Sequence, residues 1–355
     1  MNKLNVGIIG LGTIAENIHI PILSNFEDVN LCAVTDVNIK RSKSISKRWN
    51  IEKFYQNHNK MFDDSNLNVV FVCTPNYFHS QIVNDAIEHD IHVFCEKPFG
   101  LSSNDAYDLV CKAHKRNLIL TVGYNYRLKK PFEKGLTIIQ NKRIGKLSQI
   151  HGSFISQGPY RGYKPSSDWA FQNESGGALY DIGCHLFDLL THLSSDYIIQ
   201  VLARSVNVMS LKIVDNIAGF FKTKKGIIGT FNMGWQAAVD SISLNFYGTG
   251  GSLFISEDNI EEIHKSNGSL EKMMNHLKNV KRIVGNTLLS SNKSIEESYI
   301  KEDRAFIDAV IYNKNPVVLG EEAVHVLEVL DAIKESLEDE KLIKVYNHFS
   351  CTKKS

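Results

Sequence analysis

Cysteine is scarce and unpatterned, with only six in 355 residues. Cys32, Cys73, Cys95, Cys111, Cys184 and Cys351 form no Cys-x-x-Cys pair and no zinc-type spacing, so neither a disulfide framework nor a metal site is expected. Several lie in apolar strand-like runs, where a free thiol behaves as a small buried hydrophobe. A reducing compartment fits best, and the expected location is the cytoplasm. No apolar run approaches the roughly 18 residues of a membrane-spanning helix, and Met1–Asn5 lead straight into a strand rather than a signal sequence. Net charge is nearly absent too. Forty basic residues against 39 acidic ones leave +1, which gives no electrostatic footprint for nucleic acid or a membrane surface. Internal repeats and low-complexity tracts are also missing.

What is present is an ordinary globular composition, 43% hydrophobic and 22% charged, over a length that favours two domains. Residues 1–123 alternate short β-branched runs (Val6–Gly10, Leu31–Thr35, Val69–Cys73, Ile91–Cys95 and Leu118–Val122) with helical segments such as Tyr77–Glu88 and Asn104–Arg116. Continuous apolar strands between helices predict a doubly wound α/β domain with a parallel sheet. Ligands of such sheets bind beyond the carboxyl ends of the strands.

The first of those ends carries Gly10-Leu11-Gly12-Thr13-Ile14-Ala15. Gly10 permits a tight turn, Gly12 lets backbone approach a pyrophosphate, and Ala15 lets the following helix sit close to the strand. Thr13 and Ile14 open that helix, whose unpaired N–H groups favour phosphate. The second run ends in Asp36, where an acid grips a ribose 2′-hydroxyl. Alone, Asp36 also reads as a helix N-cap.

Residues 124–355 have a different texture. Ile227, Gly229, Phe231, Met233 and Trp235 share one strand face, as do Ile242, Leu244 and Phe246, with turns at Lys224–Gly226 and Gly248–Gly251. This predicts a mostly antiparallel sheet with one covered and one open face, the open one suited to burial by another subunit. Residues 256–298 form an irregular insertion. Within it, Leu270, Met273, Met274, Leu277, Val280, Ile283 and Val284 recur at helical spacing, fitting a helix packed on the sheet or a partner better than one on a membrane.

Three stretches carry chemistry. Glu96-Lys97-Pro98 follows a strand at the ligand-binding edge, where a lysine can stabilise charge on a substrate oxygen; it also reads as charges flanking a strand, and Pro98 as the site of a cis bond. Within Gly176–His185, a helix would set Asp181 and His185 one turn apart, so that the acid orients the imidazole as a proton acceptor. A buried structural pair is the plainer reading. Tyr124-Asn125-Tyr126-Arg127 stands at the domain crossing and reads equally as cleft lining or as structural hydrogen bonding.

Together, GLGTIA (10–15), TPNYFH (74–79), HVFCEKPFG (92–100), VGYNYR (122–127), GGALYDIGCHLFDLL (176–190) and EDRAFIDAVIYNKNPVV (302–318) resemble the glucose–fructose oxidoreductase, inositol 2-dehydrogenase and rhizopine-catabolism (Gfo/Idh/MocA) family. The resemblance implies a Rossmann domain followed by an open-faced α/β domain, commonly paired into homodimers or homotetramers. It also implies hydride transfer between a nicotinamide cofactor and a hydroxyl-bearing carbon of a sugar, nucleotide sugar or cyclitol. Lys97 would sit at the substrate hydroxyl, His185 would be the general acid/base, and Asp181 would orient His185. Thr74, Asn76, His79 and Glu96 would line the nicotinamide ribose. Tyr124, Asn125, Arg127, Tyr160, Arg161 and Trp169 are candidate substrate contacts. Asp36 argues for NAD, while Arg41 nearby leaves NADP open. The same scaffold also accommodates an NAD-dependent glycoside hydrolase working by transient oxidation, or a cofactor-binding sensor without catalysis.

Overall fold

The computed structural model describes residues 3–158, 175–208, 213–265 and 293–350. Six parallel strands build the first sheet: β1 (Leu4–Ile9), β2 (Val29–Thr35), β3 (Lys53–Tyr55), β4 (Val69–Val72), β5 (His92–Cys95) and β6 (Leu120–Val122), in the order β3-β2-β1-β4-β5-β6. The order reverses between β1 and β4, which opens the crevice where an α/β sheet takes its ligand. Helical turns Ala15–His19 and α1 (Ile20–Ser24) follow β1; α2 (Ile39–Trp49), α3 (His58–Asp64), α4 (His79–Glu88) and α5 (Ser103–Lys115) complete the crossovers. The apolar runs announce every strand except β3. It is a three-residue edge strand whose Phe54 is 38% exposed, so no continuous apolar run marks it.

After α6 (Lys130–Gln140), the second sheet contains β7 (Leu147–Ile155), β8 (Ile198–Val206), β9 (Asn216–Thr223), β10 (Ile228–Gly234), β11 (Ser241–Gly248), β12 (Gly251–Ser256), β13 (Ile260–His264) and β14 (Ile343–Lys344). Their order is β13-β12-β11-β7-β10-β9-β8-β14, antiparallel except for the β7–β10 pair. One face is packed and the other is open. On the packed face lie α7 (Gly177–Asp181) and α8 (Gly183–Ser194). A Cβ on Gly152 of β7 would stand 3.0 Å from Leu186 and 3.1 Å from Leu190, so α8 seats closely on the sheet and its first turn is fixed in place.

Two long helices close the chain, α9 (Lys293–Tyr312) and α10 (Gly320–Asp339). Although α9 follows seven of the eight strands of the second sheet in sequence, it covers the first: Phe306 packs 5.6 Å from both Phe71 and Phe94, and Arg304 grips Asp28 through two bonds of 2.8 and 2.9 Å. Each such buried phenylalanine stabilises the fold by about 1.5–3 kcal/mol. The expected division at residue 123 therefore separates the sheets but not their covering layers. The helical pattern expected at 270–284 lies outside the described residues. Among the described residues, no helix is long and apolar enough to cross a membrane.

Candidate active site

The glycine turn has the geometry its composition demands. Gly10 adopts φ +85°, and a Cβ there would collide with the Cys73 carbonyl at 2.7 Å and the Thr74 nitrogen at 2.8 Å. A Cβ on Gly12 would meet nothing within 4 Å, which leaves room for a ligand to approach the turn. Thr13 is exposed, Ile14 is half-buried, and Ala15 is fully buried under the helix start. Asp36 accepts from the Leu11 amide at 3.0 Å and the Asn38 amide at 2.8 Å, so its carboxylate hangs over the turn. Asn38, not Asp36, caps α2. Arg41 stands 3.6 Å from Asp36 and is half exposed.

At the end of β4, the Thr74 hydroxyl and the Asn76 side-chain oxygen Oδ1 are buried without a hydrogen-bond partner among the described residues. Orphaned polar atoms beside an open glycine turn fit a bound dinucleotide, which would satisfy them. The Asn76 amide nitrogen donates to the Ser175 carbonyl at 2.8 Å. The His79 ring bridges the carbonyls of Thr74 (2.8 Å) and Pro98 (2.7 Å), tying the β4 end to the loop after β5. Within that loop the Lys97–Pro98 bond is cis.

Lys97 and Asp181, on different domains, meet there. The Lys97 ammonium donates to the Asp181 carboxylate at 2.9 Å and to the Asp181 carbonyl at 3.0 Å. Burial works against the charged amine, but Asp181 outweighs it and lifts the lysine pKa above its ordinary value; Lys97 is an ammonium at neutral pH. The other Asp181 oxygen accepts from the Trp235 indole at 3.2 Å.

His185 stands apart from this pair. The expected Asp181–His185 bond does not form: the two Asp181 oxygens are taken by Lys97 and Trp235, at the point where α7 gives way to α8. The stronger cationic partner, Lys97, takes the carboxylate instead. Burial, with the charges of Lys97 and Lys129 nearby, holds the His185 pKa well below its ordinary value. Its Nδ1 has no hydrogen-bond partner among the described residues. The rings of Tyr126, Tyr124 and Phe154 surround it at 4.8, 6.1 and 6.2 Å. A neutral imidazole with a free nitrogen, buried among aromatic rings near a fixed ammonium, is equipped to take a proton.

Several expected contacts serve other purposes. Arg127 is buried against Asp188 (2.6–3.0 Å) and Glu322 (2.7 Å), bolting α8 to α10 rather than facing a substrate. Asn125 donates to the Ser298 hydroxyl at 3.2 Å inside the protein. Tyr124 is fully buried beside His185. The Glu96 carboxylate turns inward to His19 at 2.9 Å instead of outward to a ribose. Tyr160, Arg161 and Trp169 lie outside the described residues.

Two site residues escape the motif reading. Trp235 is the last member of an alternating apolar row, and its indole nitrogen orients Asp181. Lys129, only two residues past Arg127, lies over the Tyr126 ring at 3.9 Å and pairs with Glu257 at 2.5 Å. A buried cation next to an aromatic-rich motif is the signal that would have found it.

Comparison with known proteins gives the family. Residues 4–124 match a family model described as an oxidoreductase family with an NAD-binding Rossmann fold, and residues 132–254 match a GFO/IDH/MocA C-terminal domain. The chain is 26% identical over 350 residues to the myo-inositol 2-dehydrogenase of Thermotoga maritima, covering 96% of this chain and 98% of that protein. Over 260 residues it is 25% identical to the D-glucoside 3-dehydrogenase of Escherichia coli, covering 72% and 70% of the two. A levoglucosan dehydrogenase solved with NADH shares the fold with a TM-score of 0.83 at 20% identity, over 98% of this chain and 100% of that one.

Proposed function

The chain belongs to the Gfo/Idh/MocA family of NAD-binding oxidoreductases, and from that premise we propose that it is an NAD-dependent dehydrogenase acting on a hydroxyl-bearing carbon of a sugar or cyclitol. The observation that carries this reading is the convergence, at the ligand-binding edge of the first sheet, of an ammonium fixed by Asp181 with a neutral His185 whose Nδ1 has no hydrogen-bond partner among the described residues.

Gly10, Gly12, Asp36, Thr74 and Asn76 are the residues that would hold NAD, which accepts hydride when bound. The protein supplies the rest of the chemistry. The substrate hydroxyl gives its proton to His185, and Lys97 donates a hydrogen bond to the alkoxide as it develops. His185 thus holds the hydroxyl proton and Lys97 the oxygen, and the carbon that would give up its hydride to bound NAD would be left as a carbonyl. Trp235 and Asp181 keep Lys97 aimed. The relatives' substrates, myo-inositol and a D-glucoside, support a polyhydroxylated ring as substrate.

The open face of the second sheet carries Thr230, Lys222, Arg204 and a half-exposed Ile228, and it is the face we assign to pairing with a second copy. Among the described residues Cys32, Cys73, Cys95, Cys111 and Cys184 are free thiols, which supports a reducing compartment.

The experiment is a spectrophotometric screen for NADH with inositols, glucosides, free sugars and sugar acids, with NADP in parallel. A hit that is lost in Lys97→Ala and His185→Ala supports the assignment. NAD turnover that survives both substitutions overturns it.

A further inference from the structure

Behind the Lys97 loop lies a buried cluster that the hydride-transfer chemistry does not use. His19 is fully buried, with Nε2 2.9 Å from a Glu96 oxygen and Nδ1 3.0 Å from both Asp303 oxygens. An ionised carboxylate has no hydrogen to give, so both ring nitrogens donate and the ring is an imidazolium. Burial alone would discharge it, yet Asp303 and Glu96 outweigh burial and raise its pKa to about 10. Burial acts to raise the Glu96 pKa, but His19 prevails and holds it below the ordinary value; Asp303 is lifted by burial against the pull of His19. Among the other titratable neighbours, Tyr299, Glu302 and Cys73 are pushed well up by burial. Phe71, Phe94 and Tyr299 pack around the ring at 5.3, 5.3 and 6.2 Å.

The three charged groups come from three distant places. His19 ends the helical turn that follows the glycine turn, Glu96 follows β5, and Asp303 lies on α9. The second Glu96 oxygen accepts from the Lys97 backbone amide at 3.1 Å. We propose that His19 is a positioning residue: anchored by Asp303, it orients Glu96, and Glu96 fixes the Lys97 backbone relative to the glycine turn. The loop bearing the ammonium and the turn bearing the phosphate site are thereby held as one unit. The cluster is a clamp on geometry, and only its effect on turnover rests on the dehydrogenase reading.

Amide hydrogen exchange of the full chain tests the clamp without any substrate. In His19→Gln, the Lys97 amide is expected to exchange roughly tenfold faster, while the neighbouring Glu96 amide changes less than about twofold. The Glu96 amide is a sound reference because it donates to the Val72 carbonyl at 2.9 Å, independently of His19. An unchanged Lys97 amide overturns the proposal, as does an equal rise at both amides, which would report general loosening. If His19→Gln does not fold, Asp303→Asn carries the same test, with a rise of roughly threefold expected at Lys97 alone. For turnover, kcat should fall about tenfold or more with the KM for NAD held within about threefold. Unchanged kcat in His19→Gln, alongside loss in Lys97→Ala, overturns the positioning role. Unchanged kcat in Lys97→Ala removes the dehydrogenase reading and leaves the exchange result to judge the clamp.

Discussion

Lys97 and Asp181 join the two domains through both the carboxylate and the carbonyl of the aspartate, at 2.9 and 3.0 Å. The aspartate therefore serves the lysine rather than the histidine four residues on. Asp181→Asn removes the charge and leaves a side chain that can still accept from the lysine. The expected result is a fall in kcat of about 10–100-fold with a small change in KM for NAD, since the ammonium is retained but less firmly aimed. Steady-state kinetics check this. A kcat equal to that of the parent would detach Asp181 from the reaction.

His185 predicts a pH profile. Its pKa is depressed by burial first, then by Lys97 and Lys129, so the imidazole stays neutral down to acidic pH. The acid limb of kcat/KM should accordingly lie below pH 6.5, the ordinary histidine value. Removing a neighbouring positive charge relieves part of the depression, so Lys129→Met should move that limb to higher pH. His185→Ala should remove the limb and cost about 10²–10⁴-fold in kcat. A limb that stays fixed in Lys129→Met assigns it to another group.

How far the sequence discloses this site depends on whether a feature is local. The glycine turn is a local demand, since Gly10 must take φ +85° within van der Waals reach of Cys73, and one strand–turn–helix window reveals it. Strand alternation likewise reveals which face is buried. Partners are a different matter, because side-chain spacing on a helix says which residues are neighbours only while the helix continues. In a run such as ALYDIGCHLFDLL Asp181 reads as His185's partner, because nothing local shows that Lys97 and Trp235 take its carboxylate. Lys97 and Asp181 are 84 residues apart and His19 and Asp303 are 284 apart; only the packing of α7 and α9 brings each pair together. Arg127 shows the opposite error, an arginine in a promising motif that the core uses for its own ion pairs.

Cofactor choice should turn on Asp36. Its carboxylate lies over the glycine turn, held by the Leu11 and Asn38 amides, and would repel a 2′-phosphate. Arg41, 3.6 Å away and half exposed, is free to swing toward such a phosphate once the acid is gone. Asp36→Ser should lower the NAD-over-NADP ratio of kcat/KM roughly 10–100-fold, or about 1.4–2.8 kcal/mol. Adding Arg41→Ala should return most of the lost preference. Titration of both cofactors by protein fluorescence checks the binding share of this effect.

The Arg127–Asp188–Glu322 network predicts stability rather than activity. Arg127 and Asp188 have side chains only 2% and 1% exposed, so removing either partner strands a charge in the core. Arg127→Met should destabilise the protein by about 3–5 kcal/mol, much of it the cost of leaving Asp188 unpaired. The double variant Arg127→Met/Asp188→Leu removes both charges and should recover a large part of that loss. Because the network locks α8 to the start of α10, urea unfolding should report a lower midpoint, while kcat measured well below that midpoint stays within about threefold of the parent. A large loss of kcat in a variant of normal stability would return Arg127 to the substrate pocket, the place its motif first suggests.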